Sequence, residues 1–296
     1  MVSQMKIFRA QGGHIDYLFI CGDIAFKADI EEYKISRSFI DDICNAIGCD
    51  SKDVFMVPGN HDSDRNITDS DKTLGIHTKL LFESRPDDYL NSILQKKPDT
   101  LSHIFAAFKA YDTFSSLYGC NEATAHEVIT TKKHDIAVKP ELYWAKTLNK
   151  SLDGCEIKVY GVNTALTSDR YDYNGTNDSQ GHRLFLPKMA YNIAMNGEDH
   201  INILLAHHPF DFLLNNAIIK KNLERYYQLQ FFGHVHLSDS DNENGQVHIY
   251  SGALQPPTDN KEGKNNKYIP VYNLVTLTRN DTDGYKAINV KLEIFK

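Results

Sequence analysis

No stretch of this 296-residue chain approaches the roughly 18 consecutive apolar residues that a membrane-spanning helix needs. No long apolar run follows Met1, so the N-terminus does not read as a signal peptide. Cysteines are few and odd in number: Cys21, Cys44, Cys49, Cys120 and Cys155, with no Cys-x-x-Cys pair. That argues against a disulfide framework or a structural zinc site, and it points to a reducing, cytoplasmic setting. Cys21 sits in an apolar run and reads as a small buried hydrophobe. An excess of positive charge is also missing. The 32 Lys and Arg are outnumbered by 39 Asp and Glu, for a net charge of −7, so there is no general attraction to nucleic acid or to an anionic membrane. The tight basic clusters, Lys132-Lys133-His134 and Lys220-Lys221, read as solvated faces. Internal repeats and low-complexity linkers are absent. What remains, 41% hydrophobic and 24% charged, is the composition of a globular chain long enough to bury a core without staples.

Periodicity gives an α/β order. Residues 1–10 read as the end of an amphipathic helix, broken at Gln11-Gly12-Gly13. The apolar run 15–21 reads as a buried parallel strand ending at Gly22-Asp23, and 29–47 as a helix. A second buried strand, 54–57, ends at Pro58-Gly59, completing a strand–crossover–strand unit. Residues 63–140 read as a helical insertion, notably around 74–82 and 104–118, that either caps the site or packs on the scaffold. Strands return as a hairpin, 142–148 and 155–165, turning at Leu152-Asp153-Gly154. A helix over 187–195, a strand over 201–206, a helix over 216–227 and a strand over 230–232 follow. Three more strands are expected at 247–251, 271–278 and 288–295, and the polar stretch Asp259–Lys267 reads as a mobile loop.

Four of these apolar strands end in polar clusters: Gly22-Asp23, Gly59-Asn60-His61-Asp62, His207-His208 and Gly233-His234-Val235-His236. Ligands in α/β sheets bind beyond the carboxyl ends of strands, so the four ends can converge. Together they supply a carboxylate, an amide oxygen and several imidazoles. Such mixed oxygen and nitrogen ligation without thiolate suits Mn, Fe, Zn or Co. Gly22-Asp23 alone reads as a turn and His207-His208 equally as a loop or a ligand, while Gly59-Asn60-His61-Asp62 and Gly233-His234-Val235-His236 are more specific; the order and strand context of all four make a metal site of the set.

The ordered set resembles the motifs of calcineurin-like metallophosphoesterases over roughly residues 15–295. The resemblance implies two mixed β-sheets packed as a sandwich and flanked by helices in four layers, forming one domain over 1–296. It also implies two divalent metals. Asp23 would bridge them; Asn60, His207 and His234 would complete one, and His236 would bind the other. His208 is the less favoured of its pair. His61 would act at the leaving-group oxygen as a general acid or charge stabiliser, oriented by Asp62. The run from Pro58 to Arg65 is similar to a bacterial subgroup in which Asp64-Arg65 follow, which makes Arg65 a candidate phosphate contact. Two metals about 3.5–4 Å apart would clamp a phosphate, and a metal-bound hydroxide would attack it. The implied activity is metal-dependent hydrolysis of a phosphodiester or phosphomonoester, with nucleotide or nucleic acid as the expected substrate and no membrane partner.

One motif of the family is missing. No Asp-x-His precedes Gly22-Asp23, and His14 lies ahead of the strand, in a turn. The expectation is an N-terminally truncated domain holding one metal well, through Asp23, Asn60, His207 and His234, and a second weakly, through Asp23 and His236. The alternative function is a catalytically weak or inactive module that binds metal, nucleotide or a regulatory partner.

Overall fold

A computed structural model of the chain describes residues 1–96, 98–120, 142–172, 181–191, 200–254, 270–282 and 285–296. The basic cluster at 132–134 and the polar stretch 259–267 lie outside these residues. Helix α1 (Val2–Ala10) precedes strand β1 (Leu18–Ile20). β1 is shorter than the run 15–21 and only half-buried, because among the described residues it pairs with β2 (Val54–Met56) alone. The two strands are parallel, with Leu18 opposite Val54. The helix between them, α2 (Ile30–Ile47), starts where the Asp29 carboxylate accepts the Glu31 N–H at 2.8 Å. It stops at Gly48, whose φ of 82° returns its N–H to the Cys44 carbonyl. Its buried side chains, Tyr33, Ile40, Ile43, Cys44 and Ile47, recur at helical spacing and so form one stripe.

Helices α3 (Arg65–Thr68), α4 (Asp71–Phe82), α5 (Pro86–Lys96), α6 (Pro98–Phe105) and α7 (Lys109–Ser115) follow. The hairpin of β3 (Tyr143–Thr147) and β4 (Glu156–Val162) turns through Asp153 and Gly154, both at positive φ. Then come α8 (Lys188–Tyr191), β5 (His200–Leu205), α9 (Asn216–Tyr226), β6 (Leu229–Phe232), β7 (Asp239–Glu243), β8 (Gln246–Tyr250), β9 (Tyr272–Thr282) and β10 (Tyr285–Phe295). Of the helix expected over 187–195, α8 is the described part, and 192–199 lie outside the described residues. Strand β7 is the element that periodicity does not reveal. Its five residues are all exposed, so no apolar alternation marks it.

The main sheet runs β3-β4-β5-β6-β8-β7, with parallel pairing from β4 to β8 and an antiparallel strand at each edge. Alternation along its strands builds two cores. Ile157 and Val159 on β4, with Ile201, Ile203 and Leu205 on β5, face β1, β2 and the apolar side of β9 and β10. Tyr160, Val162, Leu204 and Phe232 point the other way, onto α4, α5, α8 and α9. Met5 of α1 and the α2 residues Ile43, Ala46 and Ile47 cover the far side of β1. The result is the expected order helix, sheet, sheet, helix. The second sheet differs from expectation in being two pieces: the parallel pair β1–β2 and the antiparallel hairpin β9–β10, with no ladder between them among the described residues. No helix among those residues is long and apolar enough to cross a membrane.

One packing detail links the core to the strand ends. Gly161 stands opposite Trp144 on β3, and the indole lies where a Cβ at 161 would be. The indole N–H donates to the Met56 carbonyl at 2.9 Å, and Tyr111 donates to the same oxygen at 3.1 Å. Gly161→Ala is expected to force Trp144 off this bond and to cost about 1–3 kcal/mol of stability, as overpacking does. Urea unfolding checks it; a variant as stable as the parent contradicts the packing described.

Candidate metal centre

The ends of β1, β2, β5 and β6 meet at one point because two glycines let the chain come close. A Cβ on Gly22 would run into the His207 ring and the Gly59 nitrogen; one on Gly59 would overlap the Asp23 carboxylate. Gly22 is also at φ 92°, a conformation that favours glycine. Three of the polar residues themselves adopt left-handed conformations: Asp23 (φ 54°), His234 (φ 63°) and His236 (φ 56°). Non-glycine residues hold such conformations at a cost of about 1–3 kcal/mol each, and they cluster at functional sites. The segment from Gly233 is therefore a tight turn, with the Val235 N–H on the Gly233 carbonyl at 2.7 Å, and not an extended strand presenting both imidazoles to one face.

Four side chains converge within this crowd. His207 Nε2 lies 3.1 Å from Asn60 Oδ1, 3.4 Å from Asp23 Oδ2 and 3.3 Å from His234 Nδ1, and His234 Nδ1 lies 3.2 Å from Asn60 Oδ1. His207 Nδ1 is 2.6 Å from the Cys21 carbonyl, which can only accept. The proton of His207 therefore sits on Nδ1, and Nε2 turns a lone pair toward the cluster. Asn60 Oδ1 and Asp23 Oδ2 thus both face the His207 Nε2 lone pair, with at most one proton at hand, on His234 Nδ1. Ligands about 2.0–2.2 Å from a single cation stand roughly 2.8–3.6 Å apart, in tetrahedral or octahedral arrangements. The observed spacings fall in that range, and the donor set fits a divalent cation.

Electrostatics suit the same conclusion. Burial works against the Asp23 charge, but the positive charge of His207 in its protonated form and the His61 N–H, 3.0 Å away, outweigh it and hold the carboxyl below its usual value. Burial and the neighbouring His207 push His234 down to about 3, so it stays neutral and able to ligate. His236, half-buried at the edge of the cluster, is lowered by burial against the pull of Asp23. His208 is fully buried and within 4.8 Å of the other two histidines, but its Nδ1 is engaged with Thr164 Oγ1 at 2.9 Å. Burial holds it well below the ordinary histidine range.

His61 and Asp62 divide their work differently from the expectation. The His61 ring is held by the Phe26 carbonyl, 3.0 Å from Nδ1, and by stacking on the Phe26 ring, with centroids 5.0 Å apart and planes at 15°. Asp62 is 0% exposed and turned inward. Its carboxylate collects the N–H groups of Ile24, Ala25 and Gly59 and the hydroxyl of Tyr33, at 2.9–3.2 Å. A buried carboxylate needs such donors, and these leave none of it for the imidazole. Burial and the Asp23 charge still push it up to about 6.

Beside the four-residue cluster lies a cavity of about 460 Å³ walled by Asn60, His208 and His234 on one side and by Arg65, Asp69, Asp169, Arg170 and Asp172 on the other. Arg65 is thus placed at the site. Sequence reasoning missed the rest of that wall, since its residues carry no motif. Its anchor is Asp169, buried between two imidazoles, with His77 Nδ1 at 2.8 Å and His182 Nε2 at 3.1 Å, and bonded to the Tyr171 N–H at 2.8 Å. Burial lowers His182, but the bond and charge of Asp169 outweigh it and raise the imidazole above its usual value. A raised histidine contributes stability that is full below its unfolded pKa of about 6.5 and fades as pH rises through the folded value. His182→Gln, which keeps a donor without the charge, is therefore expected to cost more stability near pH 5.5 than near pH 9. Urea unfolding at both pH values checks it, and equal costs contradict it.

A protein of Bacillus subtilis (strain 168), the uncharacterized metallophosphoesterase-like protein YydB, is 25% identical over 249 residues, covering 81% of this chain and 46% of that protein. The chain thus spans about half the length of that relative. A solved structure of a hypothetical protein from Pyrococcus horikoshii OT3 aligns with 100% of this chain and 80% of its own, at 12% identity and a TM-score of 0.38. The family model of the calcineurin-like phosphoesterases matches residues 3–238, and the chain belongs to that family of metal-dependent phosphoesterases.

Proposed function

We propose that this chain hydrolyses phosphodiesters or phosphomonoesters at the cluster of Asp23, Asn60, His207 and His234, with nucleotides as the favoured substrates. The observation that carries the proposal is the convergence of Asn60 Oδ1, Asp23 Oδ2 and His234 Nδ1 on the His207 Nε2 lone pair at 3.1–3.4 Å, a donor set and a spacing that fit a cation. Mn, Fe, Zn or Co fits the mixed oxygen and nitrogen donors. When bound, such a cation supplies charge stabilisation at the phosphoryl group and water of lowered pKa. The His236 imidazole, with Asp23, is the place for a second, more weakly held cation.

The chain's own residues do the remaining work. The Phe26 carbonyl accepts from His61 Nδ1–H, which leaves Nε2 as the nitrogen that, when protonated, gives its proton to the leaving oxygen. Asp62 does not touch the reacting groups; it fixes the loop at 24–25 and the Gly59 turn, and so the spacing between Asp23 and His61. Arg65 lines the cavity beside Asn60 and His234, where its guanidinium suits phosphoryl oxygens.

A second reading, a module that binds a cation or nucleotide without turnover, is favoured by one observation. His14 pairs with Asp16 at 2.9 Å and with Lys150 at 3.2 Å on the surface, so it does not substitute for the missing Asp-x-His. Hydrolysis of bis-p-nitrophenyl phosphate by the purified chain separates the two. Mn²⁺-dependent turnover is expected, abolished in Asn60→Ala together with Mn²⁺ binding. In His61→Ala, kcat is expected to fall by about 10²–10⁴-fold while Mn²⁺ binding persists. Turnover indifferent to Asn60→Ala contradicts the proposal, and binding without turnover in the parent supports the second reading.

A further inference from the structure

We infer that Phe26 is a stacking shelf for the base of a nucleotide whose phosphate lies at the metal centre, an inference that rests on the phosphoesterase reading above. Phe26 is 65% exposed while its ring stacks on His61. A single exposed aromatic is ordinary, so exposure alone decides nothing. The way its loop is held does decide something. The N–H groups of Phe26 and Lys27 both bond the Glu32 carboxylate, at 2.9 and 2.8 Å. Those of Ile24 and Ala25 bond Asp62, and the Ile24 carbonyl accepts from Ser36 Oγ at 2.8 Å. The Phe26 carbonyl is taken by His61, and Ala28 closes the loop at φ 55°. Two carboxylates from different elements thus pin four consecutive residues, and the ring they present stands in water.

The placement suggests the occupant. His61 is one residue from Asn60, and its N–H is on the Asp23 carboxylate; with the proton-transfer role proposed above for His61, the alcohol side of an ester at the centre lies toward its imidazole. The next surface beyond that imidazole is the Phe26 ring. An aryl ester would set its ring on His61 itself. A ring that reaches Phe26 has to be spaced from the ester oxygen, as a sugar spaces a base from its phosphate. Lys27 Nζ lies over the Phe26 ring, 5.9 Å from its centre, and puts a positive charge there that suits an anionic ligand. A flat π-face accepts any base, so the shelf selects nucleotides as a class without reading sequence.

The test is calorimetric titration of the full chain with Mn²⁺, using the non-hydrolysable phosphonate analogues of AMP and of ribose 5-phosphate. In the parent, the AMP analogue is expected to bind about 5- to 100-fold tighter than the ribose analogue, the range that base stacking gives. The ratio should fall to within about twofold in Phe26→Leu and survive in Phe26→Trp, which keeps a stacking face. A ratio near one in the parent, or a ratio undiminished in Phe26→Leu, overturns the inference. Turnover of bis-p-nitrophenyl phosphate, measured on the same preparations, keeps the two failures apart. Turnover with a flat ratio removes the shelf alone, and an intact ratio without turnover leaves the shelf and removes the hydrolase.

Discussion

His207 can reach Asn60, Asp23 and His234 because the strand ends around it carry no Cβ. Gly22 and Gly59 stand where any larger residue would push the ring or the carboxylate away. Around that approach the rest follows in order. Parallel strands bring Asp23 and Asn60 to one edge, and the main sheet brings His207 and His234 to the facing edge. The bond from His207 Nδ1 to Cys21 then joins the two layers and fixes the tautomer. That interaction serves packing and chemistry together: it satisfies a buried carbonyl, and it aims a lone pair at the place where a cation fits.

Behind this contact lies Asp62, which shows how a buried carboxylate can act at a distance. Its donors come from the loop after β1, from the turn after β2 and from α2, so one side chain sets the relative position of three elements. The left-handed conformations at Asp23, His234 and His236 persist because such surrounding bonds over-determine them. On the other side of the cluster, Asp169 plays a comparable part for the cavity wall through His77 and His182. The centre is thus held between two carboxylates, Asp62 turned inward and Asp169 in the cavity wall.

Much of this was legible in the sequence. Runs such as Val54–Met56 and Ile201–Leu205 are too apolar to be anything but buried strands, and the clusters that end them named the residues that converge. The α2 helix carries its stripe, its Asp29 cap and its Gly48 stop in order. What could not be read has physical causes. Strand β7 is exposed on an edge, where pairing and not burial makes the strand. The role given to Asp62 went instead to the backbone of Phe26, and a carbonyl leaves no mark in a residue pattern. Asp169 finds His77 across 92 positions of sequence, a separation that no local spacing records.

The most direct measurement is a crystal of the chain soaked in Zn²⁺ and examined at the zinc absorption edge. A single strong anomalous peak within about 2.0–2.2 Å of Asp23 Oδ2, Asn60 Oδ1, His207 Nε2 and His234 Nδ1 is the expected result. A cluster that stays empty while zinc occupies other residues would contradict the reading of these four side chains as a metal cage.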